Sequence, residues 1–123
     1  SPTNEKYLIE LKLPKDNCGT PKEMYHAIQD VKFAEELKLS GFKSCYCLLI
    51  TERTSFWQAP QAKEEIYYLF NGKSVEFNSI DTSYLPKFLH KNGPIQLKTN
   101  YSVNWHEFKD ANSCLWKYYI LDI

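Results

Sequence analysis

The stretch YLIELKLPKD, residues 7–16, decides how the chain begins to fold. In a β-strand alternate residues share a face. One face of this segment is apolar and looks like core; it consists of Tyr7, Ile9, Leu11 and Leu13. The other face carries the carboxylate of Glu10 beside the ammonium of Lys12. Such a pair on a rigid element is either a solvated ion pair or a catalytic pair.

Composition limits what the chain can be. Its 123 residues are 43% apolar and 24% charged, which predicts one folded domain over residues 1–123. Fifteen basic residues balance fifteen acidic ones, so no overall field attracts nucleic acid or an anionic membrane. No apolar run approaches a membrane span. The four cysteines have no zinc spacing, and we interpret them as reduced core thiols of a cytoplasmic protein, with structural zinc or disulfides as the less favoured alternatives.

The order of elements predicts a βαβ unit. A strand over residues 6–13 is followed by Thr20-Pro21-Lys22-Glu23, which predicts a Thr N-cap and a capping box closed by Glu23. The helix carries an apolar stripe and ends near Gly41. Residues 45–51 form a continuous apolar run, typical of a strand buried on both faces. The two strands are therefore expected to be parallel neighbours in one sheet.

The second half of the chain is predicted to be mostly β. Residues 66–70 and 74–77 flank Asn71-Gly72, a strong hairpin-turn dipeptide, and are expected to pair as strands. A short helix is expected at 85–90. Further strands are expected at 95–98, 101–105 and 115–121, where β-branched and aromatic residues are frequent.

The Glu10-Leu11-Lys12 tripeptide has a chemical interpretation. In-line attack on a phosphodiester needs a hard cation and a second positive charge near the phosphate, and a carboxylate two residues from a lysine on one strand face supports both. The Asp/Glu-x-Lys pattern occurs four times, beginning at Glu10, Asp30, Glu36 and Glu107. Only the first lies on an apolar strand followed by a helix and a buried strand, so its context selects it.

This order of elements resembles the PD-(D/E)XK superfamily, the restriction-endonuclease-like fold. The strand with Ile-Glu-Leu-Lys, the capped helix and the apolar strand carry the resemblance, and Phe56-Trp57 and the closing strand extend it to a bacterial branch of that superfamily. It implies an α/β fold with a mixed central sheet, a crossover helix and Mg²⁺ as cofactor. Carried over by position, Glu10 and Lys12 would be catalytic, and Glu10 and the carbonyl of Leu11 would bind the metal.

The chain departs from the family pattern at one important point. Members of the superfamily carry a metal-binding aspartate upstream, but none of the nine residues before Glu10 is Asp. We therefore expect the chain to lack the N-terminal helix and first strand of that fold, with loss of the ligand as the alternative. A third alternative is a carboxylate that has migrated to the helix, for which Asp30 and Glu23 are candidates. For Asp30 we favour a solvated or ion-paired helix residue over a site role, and for Glu23 we favour the capping role. Gln29 is a further candidate, for which we also favour a structural role over a site role.

The function expected from the resemblance is Mg²⁺-dependent hydrolysis of DNA, with DNA as partner, no membrane association and a homodimer left open. The alternative is a catalytically inactive module of the same fold that binds DNA or a protein. In that case Glu10 and Lys12 would form a plain ion pair. Fold resemblance by itself does not establish activity.

Overall fold

The first half of the chain forms the predicted βαβ unit. The structure, a computed structural model, describes residues 5–14, 19–58, 64–71 and 75–123. Strand β1 spans Tyr7–Lys12, helix α1 spans Thr20–Leu39 and strand β2 spans Ser44–Thr51. Strands β1 and β2 pair in parallel, with Glu10 opposite Cys47 and Lys12 opposite Leu49. The predicted parallel neighbours are confirmed.

The start of helix α1 differs from the prediction. Gly19 is the N-cap residue, and Thr20 is already helical. The Thr20 hydroxyl accepts a hydrogen bond from Arg53 Nη2 at 2.6 Å and lies 2.8 Å from Ser55 Oγ, so it serves tertiary structure. The capping box of Thr20 and Glu23 was therefore wrong. The helix ends at Leu39, and Gly41 follows with φ +118°, a conformation that favours glycine.

The central sheet is mixed, as predicted. Its order is β1-β2-β6-β5, where β5 is His106–Lys109 and β6 is Leu115–Asp122, and both later pairings are antiparallel. A second, two-stranded antiparallel sheet contains β3, Phe77–Ile80, and β4, Ile95–Tyr101. The chain is thus α/β with a mixed sheet, a crossover helix and a β-rich second half.

The faces of β1 are reversed relative to the prediction. Tyr7, Ile9, Leu11 and Leu13 were expected to form core, yet each is more than half exposed. Leu8, Glu10 and Lys12 are half-buried on the opposite face. The reason is the position of α1, which covers the sheet face that carries Cys45, Cys47 and Leu49 of the neighbouring strand. One helix covers one face of a sheet, and β1 turns its polar pair toward it.

The predicted hairpin around Asn71-Gly72 was also wrong. Residues Ile66–Phe70 form a short helix, α2, in which Ile66, Leu69 and Phe70 are buried. Their i, i+3, i+4 spacing is a helical period, which the five-residue run also permitted. Strand β3 begins at Phe77, later than predicted, and Gly72 and Ser74 lie outside the described residues.

Three other elements differ from the prediction, and residues 102–105, which were expected to belong to a strand, do not form one. The helix expected at 85–90 is a 3₁₀ helix at Lys87–Asn92, and two shorter 3₁₀ turns span Thr54–Phe56 and Thr82–Tyr84. Strand β4 continues from Ile95 to Tyr101, whereas 101–105 was expected to start a new strand. Strand β5 occupies residues between the strands predicted at 101–105 and 115–121, where no element was expected. Its residues are exposed on both faces, so no apolar alternation marks it.

One apolar core connects both sheets to α1. Met24, Ile28 and Val31 of the helix pack with β2, β4 and β6 residues in a single cluster. At one end, rings of Phe56, Phe70, Trp105 and Tyr119 meet at centroid distances of 5.2–6.5 Å. Cys45 and Cys47 are buried free thiols, as predicted, whereas Cys114, which was also expected in the core, is exposed in the turn before β6; Cys18 lies outside the described residues. In the part of the chain that is described, no helix has the length and apolarity of a membrane span.

Candidate functional site

Glu10 and Lys12 lie side by side on the face of β1 that looks toward helix α1. Both line a small cavity together with Ala27 and Asp30 of the helix. Strand alternation places the two β1 side chains on one face, and the helix crossing above them brings Asp30 from the other side. Two carboxylates and one ammonium therefore converge between the edge strand and the helix.

The closest contact in this cluster joins Lys12 and Asp30. Lys12 Nζ lies 3.3 Å from Asp30 Oδ2, and the two side chains are 23% and 27% exposed. The sequence analysis left two interpretations of Asp30 open: a solvated or ion-paired helix residue, and a metal ligand that had migrated to the helix. The structure shows Asp30 in an ion pair with Lys12. This ion pair lies beside Glu10, where a migrated metal ligand would also have to lie, so the two interpretations of Asp30 concern the same location.

The remaining candidates from the helix lie elsewhere. Gln29 is exposed and lines a separate groove with Tyr25 and Lys32, away from Glu10. Glu23 lies in the first turn of α1, where its own N–H donates to the Gly19 carbonyl at 3.1 Å. Neither residue lines the cavity between Glu10 and Asp30.

The floor of the cavity is apolar and buried. Cys47 and Tyr119 line it from β2 and β6. Burial raises the pKa of the Cys47 thiol to about 12, and the nearby charges of Asp30 and Glu10 act in the same direction. Burial likewise raises the pKa of Tyr119, with a contribution from Cys47 and Asp30. Both groups are therefore neutral at pH 7, and the charged side chains that line the cavity are Glu10, Lys12 and Asp30.

The Glu10 carboxylate is open to a ligand. Across residues 5–14, 19–58, 64–71 and 75–123 it makes no hydrogen bond or ion pair with another residue. The cavity beside it has about 10 Å³ of free volume, which is close to the minimum that holds one water molecule. A cation or a phosphate approaching this site would bind near the edge of the sheet, not in a deep pocket.

The carbonyl of Leu11 points to the same edge. The Lys6 carbonyl accepts a hydrogen bond from the Lys43 N–H at 2.8 Å, so it points toward β2. Backbone groups of successive strand residues point to opposite edges, and the Leu11 carbonyl, an odd number of residues away, points away from β2. In the described part of the chain no strand pairs with that outer edge of β1.

The oxygen donors of this cluster suit Mg²⁺ in a shared site. Proteins bind Mg²⁺ through one or two carboxylates, with waters and substrate phosphate completing the sphere. Glu10 and Asp30 supply two carboxylates, and Leu11 supplies a carbonyl. Among the residues that the structure describes, no group of three or more His, Cys, Asp or Glu side chains is placed to hold a metal. The donor set is therefore compatible with a site completed by a phosphate, and not with a closed protein cage.

No family model, curated protein or solved structure matches this chain. The function must be argued from the cluster itself.

Sequence reasoning missed the floor of the cavity and the Lys12–Asp30 contact. Cys47 lies directly opposite Glu10 in the register of β1 and β2, which a parallel pairing could have indicated. Asp30 follows Ala27 by three residues and therefore lies on the same side of α1, at the border of its apolar stripe. The place of Tyr119 has no local signal, because it comes from a strand that enters the sheet about 70 residues later.

Proposed function

We propose that this chain hydrolyses phosphodiester bonds of DNA with Mg²⁺, using Glu10 and Lys12 as catalytic residues. The observation that carries the proposal is the convergence of Glu10, Lys12 and Asp30 at one edge of the sheet. Two carboxylates and an ammonium on rigid elements are the groups that such chemistry requires. The resemblance to the PD-(D/E)XK superfamily in the order of β1, α1 and β2 supports the same assignment.

Each residue has a separate role in the proposed reaction. Glu10, with the Leu11 carbonyl beside it, would hold Mg²⁺, and Asp30 would be the second carboxylate ligand, in place of the upstream aspartate of the superfamily. The bound ion would supply positive charge to the phosphate and lower the pKa of a water molecule. Lys12 would donate a hydrogen bond to a phosphate oxygen, where negative charge increases during the attack. Asp30 would hold the Lys12 ammonium in place for this contact.

The proposed substrate and setting follow the sequence analysis. The site lies at an open sheet edge, which suits an extended polymer better than a small molecule that would need an enclosed pocket. DNA binding would depend on local contacts, because the net charge of the chain is zero. We propose a cytoplasmic setting on the basis of the reduced cysteines that the sequence analysis predicts.

One observation favours a second candidate function. The Lys12 ammonium is already paired with Asp30, so the cluster also fits an inactive module in which this ion pair only stabilises the packing of β1 on α1. Such a module would bind DNA or a protein through other surfaces. The two candidate functions differ in the role of the Glu10 carboxylate. It would bind Mg²⁺ in the nuclease, whereas it would have no role in the inactive module because it is not part of the Lys12–Asp30 ion pair.

The deciding experiment is nicking of supercoiled plasmid with and without Mg²⁺. We expect Mg²⁺-dependent nicking that falls by about 100-fold or more in Glu10→Ala and Lys12→Ala, because each removes a charge at the reacting phosphate. Asp30→Asn should reduce nicking to a similar degree if Asp30 binds the metal.

The chain contains its own matched control. Glu36-Leu37-Lys38 repeats the tripeptide Glu10-Leu11-Lys12 on the exposed side of helix α1. Glu36→Ala should nick like the wild type. If the wild type does not nick DNA, or if Glu10→Ala and Lys12→Ala nick as well as Glu36→Ala does, the nuclease proposal fails and the inactive module is favoured.

A further inference from the structure

The face of the central sheet opposite α1 is apolar, and no element of the described residues covers it. The register of the four strands places one row of side chains on it from each strand. The most exposed apolar members of these rows are Tyr7, Ile9, Leu11, Phe108 and Ile120. Partly exposed members are Tyr46, Leu48, Ile50, Trp116 and Tyr118. Together these residues define what we call the open face.

The size of the open face exceeds that of an ordinary surface patch. A fully covered aromatic side chain buries roughly 150–250 Å², and Tyr7 and Phe108 are 57% and 42% exposed; the three aliphatic side chains are smaller but 53–68% exposed. With the partly exposed residues, the open face presents on the order of 700 Å² of apolar surface. The largest patch on a monomer is about 300–600 Å², whereas each partner in a standard protein interface buries about 800 Å². The open face therefore has the area of one half of a stable interface.

The charge of the open face selects the kind of partner. Among the residues of the four strands, all of which are described, Asp122 is the only one on this face with a formal charge. A nucleic acid needs cationic side chains, and this face presents none. Apart from Asp122, which is at the end of β6, the face is uncharged, and such an apolar face is complementary to its own copy.

The width of the open face also distinguishes between occupants. Measured across the strands, four strands at about 4.8 Å spacing make a surface roughly 19 Å wide. A single helix, about 10 Å across, would cover only about half of that width. A second sheet of the same width covers all of it, at the separation of about 10 Å that is usual for packed sheets.

We propose that two copies of this chain associate through their open faces into a closed dimer of packed sheets. Aromatic rings that already stack along the rim, Phe108 on Trp116 at 6.3 Å, would pack against the other copy. Glu10 and Lys12 look toward α1, on the opposite side of the sheet, so the dimer leaves both candidate sites accessible on its outer surfaces. The proposal does not depend on the proposed nuclease activity.

The test is the mass of the chain in solution by sedimentation velocity and light scattering. We expect a species of twice the 14.5 kDa chain mass at about 200 μM, a concentration well above the micromolar Kd of a moderate interface. Ile120→Lys on the inner strand β6 and Ile9→Lys on the edge strand β1 should each weaken dimerisation by about 100-fold or more, because each buries an unpaired ammonium within the interface.

The matched control is Leu39→Lys. Leu39 and Ile9 are both 68% exposed, but Leu39 lies at the end of α1, away from the open face. Leu39→Lys should dimerise like the wild type, and circular dichroism should show that all three variants are folded. A monomer at about 200 μM would overturn the proposal, and it would then favour another occupant such as an apolar segment of a partner protein. Dimerisation that survives both open-face lysines, or growth into open polymers, would overturn it as well.

Discussion

A buried carboxylate on helix α1 offers the sharpest test of how the two sheets are joined. Glu35 is 4% exposed and accepts hydrogen bonds from the Lys98 N–H at 3.0 and 2.9 Å and from the Tyr101 hydroxyl at 2.6 Å. Lys98 and Tyr101 both belong to β4, so this single side chain connects the crossover helix to the smaller sheet. Replacing Glu35 by Ala leaves the Lys98 N–H and the Tyr101 hydroxyl without this acceptor.

The expected loss of stability follows from these bonds. Hydrogen bonds to a charged group contribute about 1.5–3 kcal/mol each, and a buried donor left unsatisfied costs about 1–3 kcal/mol. Glu35→Ala should therefore lower the free energy of unfolding by about 3–5 kcal/mol, a large part of the 5–15 kcal/mol of a typical domain. Tyr101→Phe removes only one of the bonds and should cost about 1.5–2 kcal/mol. Urea titration followed by tryptophan fluorescence measures both values.

The neighbouring residue provides the control for this prediction. Glu36 has the same side chain but is exposed on the same helix, so Glu36→Ala should change the free energy of unfolding by less than about 0.5 kcal/mol. A free energy of unfolding for Glu35→Ala as close to the wild type as that of Glu36→Ala would refute the reasoning. The hydrogen bonds between α1 and β4 would then contribute nothing to the stability of the fold.

Two further predictions concern protonation. Burial raises the pKa of Cys47 to about 12, so the folded chain holds this proton while the unfolded chain loses it near pH 9. The free energy of unfolding should therefore be constant below about pH 9 and fall as the pH rises toward 12. Urea titrations between pH 8 and about pH 10.5 should show this decline, and Cys47→Ala should make it shallower; an equal slope in both proteins would contradict the assignment. In the turn between β5 and β6, hydrogen bonds from Trp116 Nε1 and from the Cys114 and Asn112 N–H groups lower the pKa of Asp110. The contribution of these bonds to the free energy of unfolding is therefore present above the usual carboxyl pKa and is lost as the pH falls below it. The NMR signal of the Trp116 indole N–H should shift only on acidification below the usual carboxyl pKa, and a shift whose midpoint lies at or above that usual pKa would disagree with the lowered pKa of Asp110.

Local signals in the sequence account for the first half of the fold. The period-2 pattern of residues 7–13, the apolar stripe that contains Met24, Ile28 and Val31, and the apolar run of β2 each specify an element within a single segment. The connection between the two strands is long enough for a helix and is therefore a crossover, which makes the strands parallel. For these reasons the βαβ unit and the position of Glu10 and Lys12 on one strand face were predictable.

Local sequence patterns did not predict the structure where one pattern fits both a strand and a helix, or where a strand has no apolar pattern of its own. The five apolar residues Ile66–Phe70 satisfy both a strand and a helical turn, and packing of α2 against α1 decided for the helix. Strand β5 has no apolar alternation, because it is an edge strand whose only described partner is β6. Its pairing with β6, and not its own side chains, makes it a strand.

By itself the sequence determined which residues of β1 share a face, and hence that Glu10 and Lys12 lie together. Only the tertiary structure decided which face α1 would cover, and this choice exposes Tyr7, Ile9 and Leu11 and brings Asp30 to 3.3 Å from Lys12. The period of a strand fixes the relation between its own side chains. Which of its two sides is buried depends on free energy gained by other segments, above all by the packing of α1 on β2 and β4.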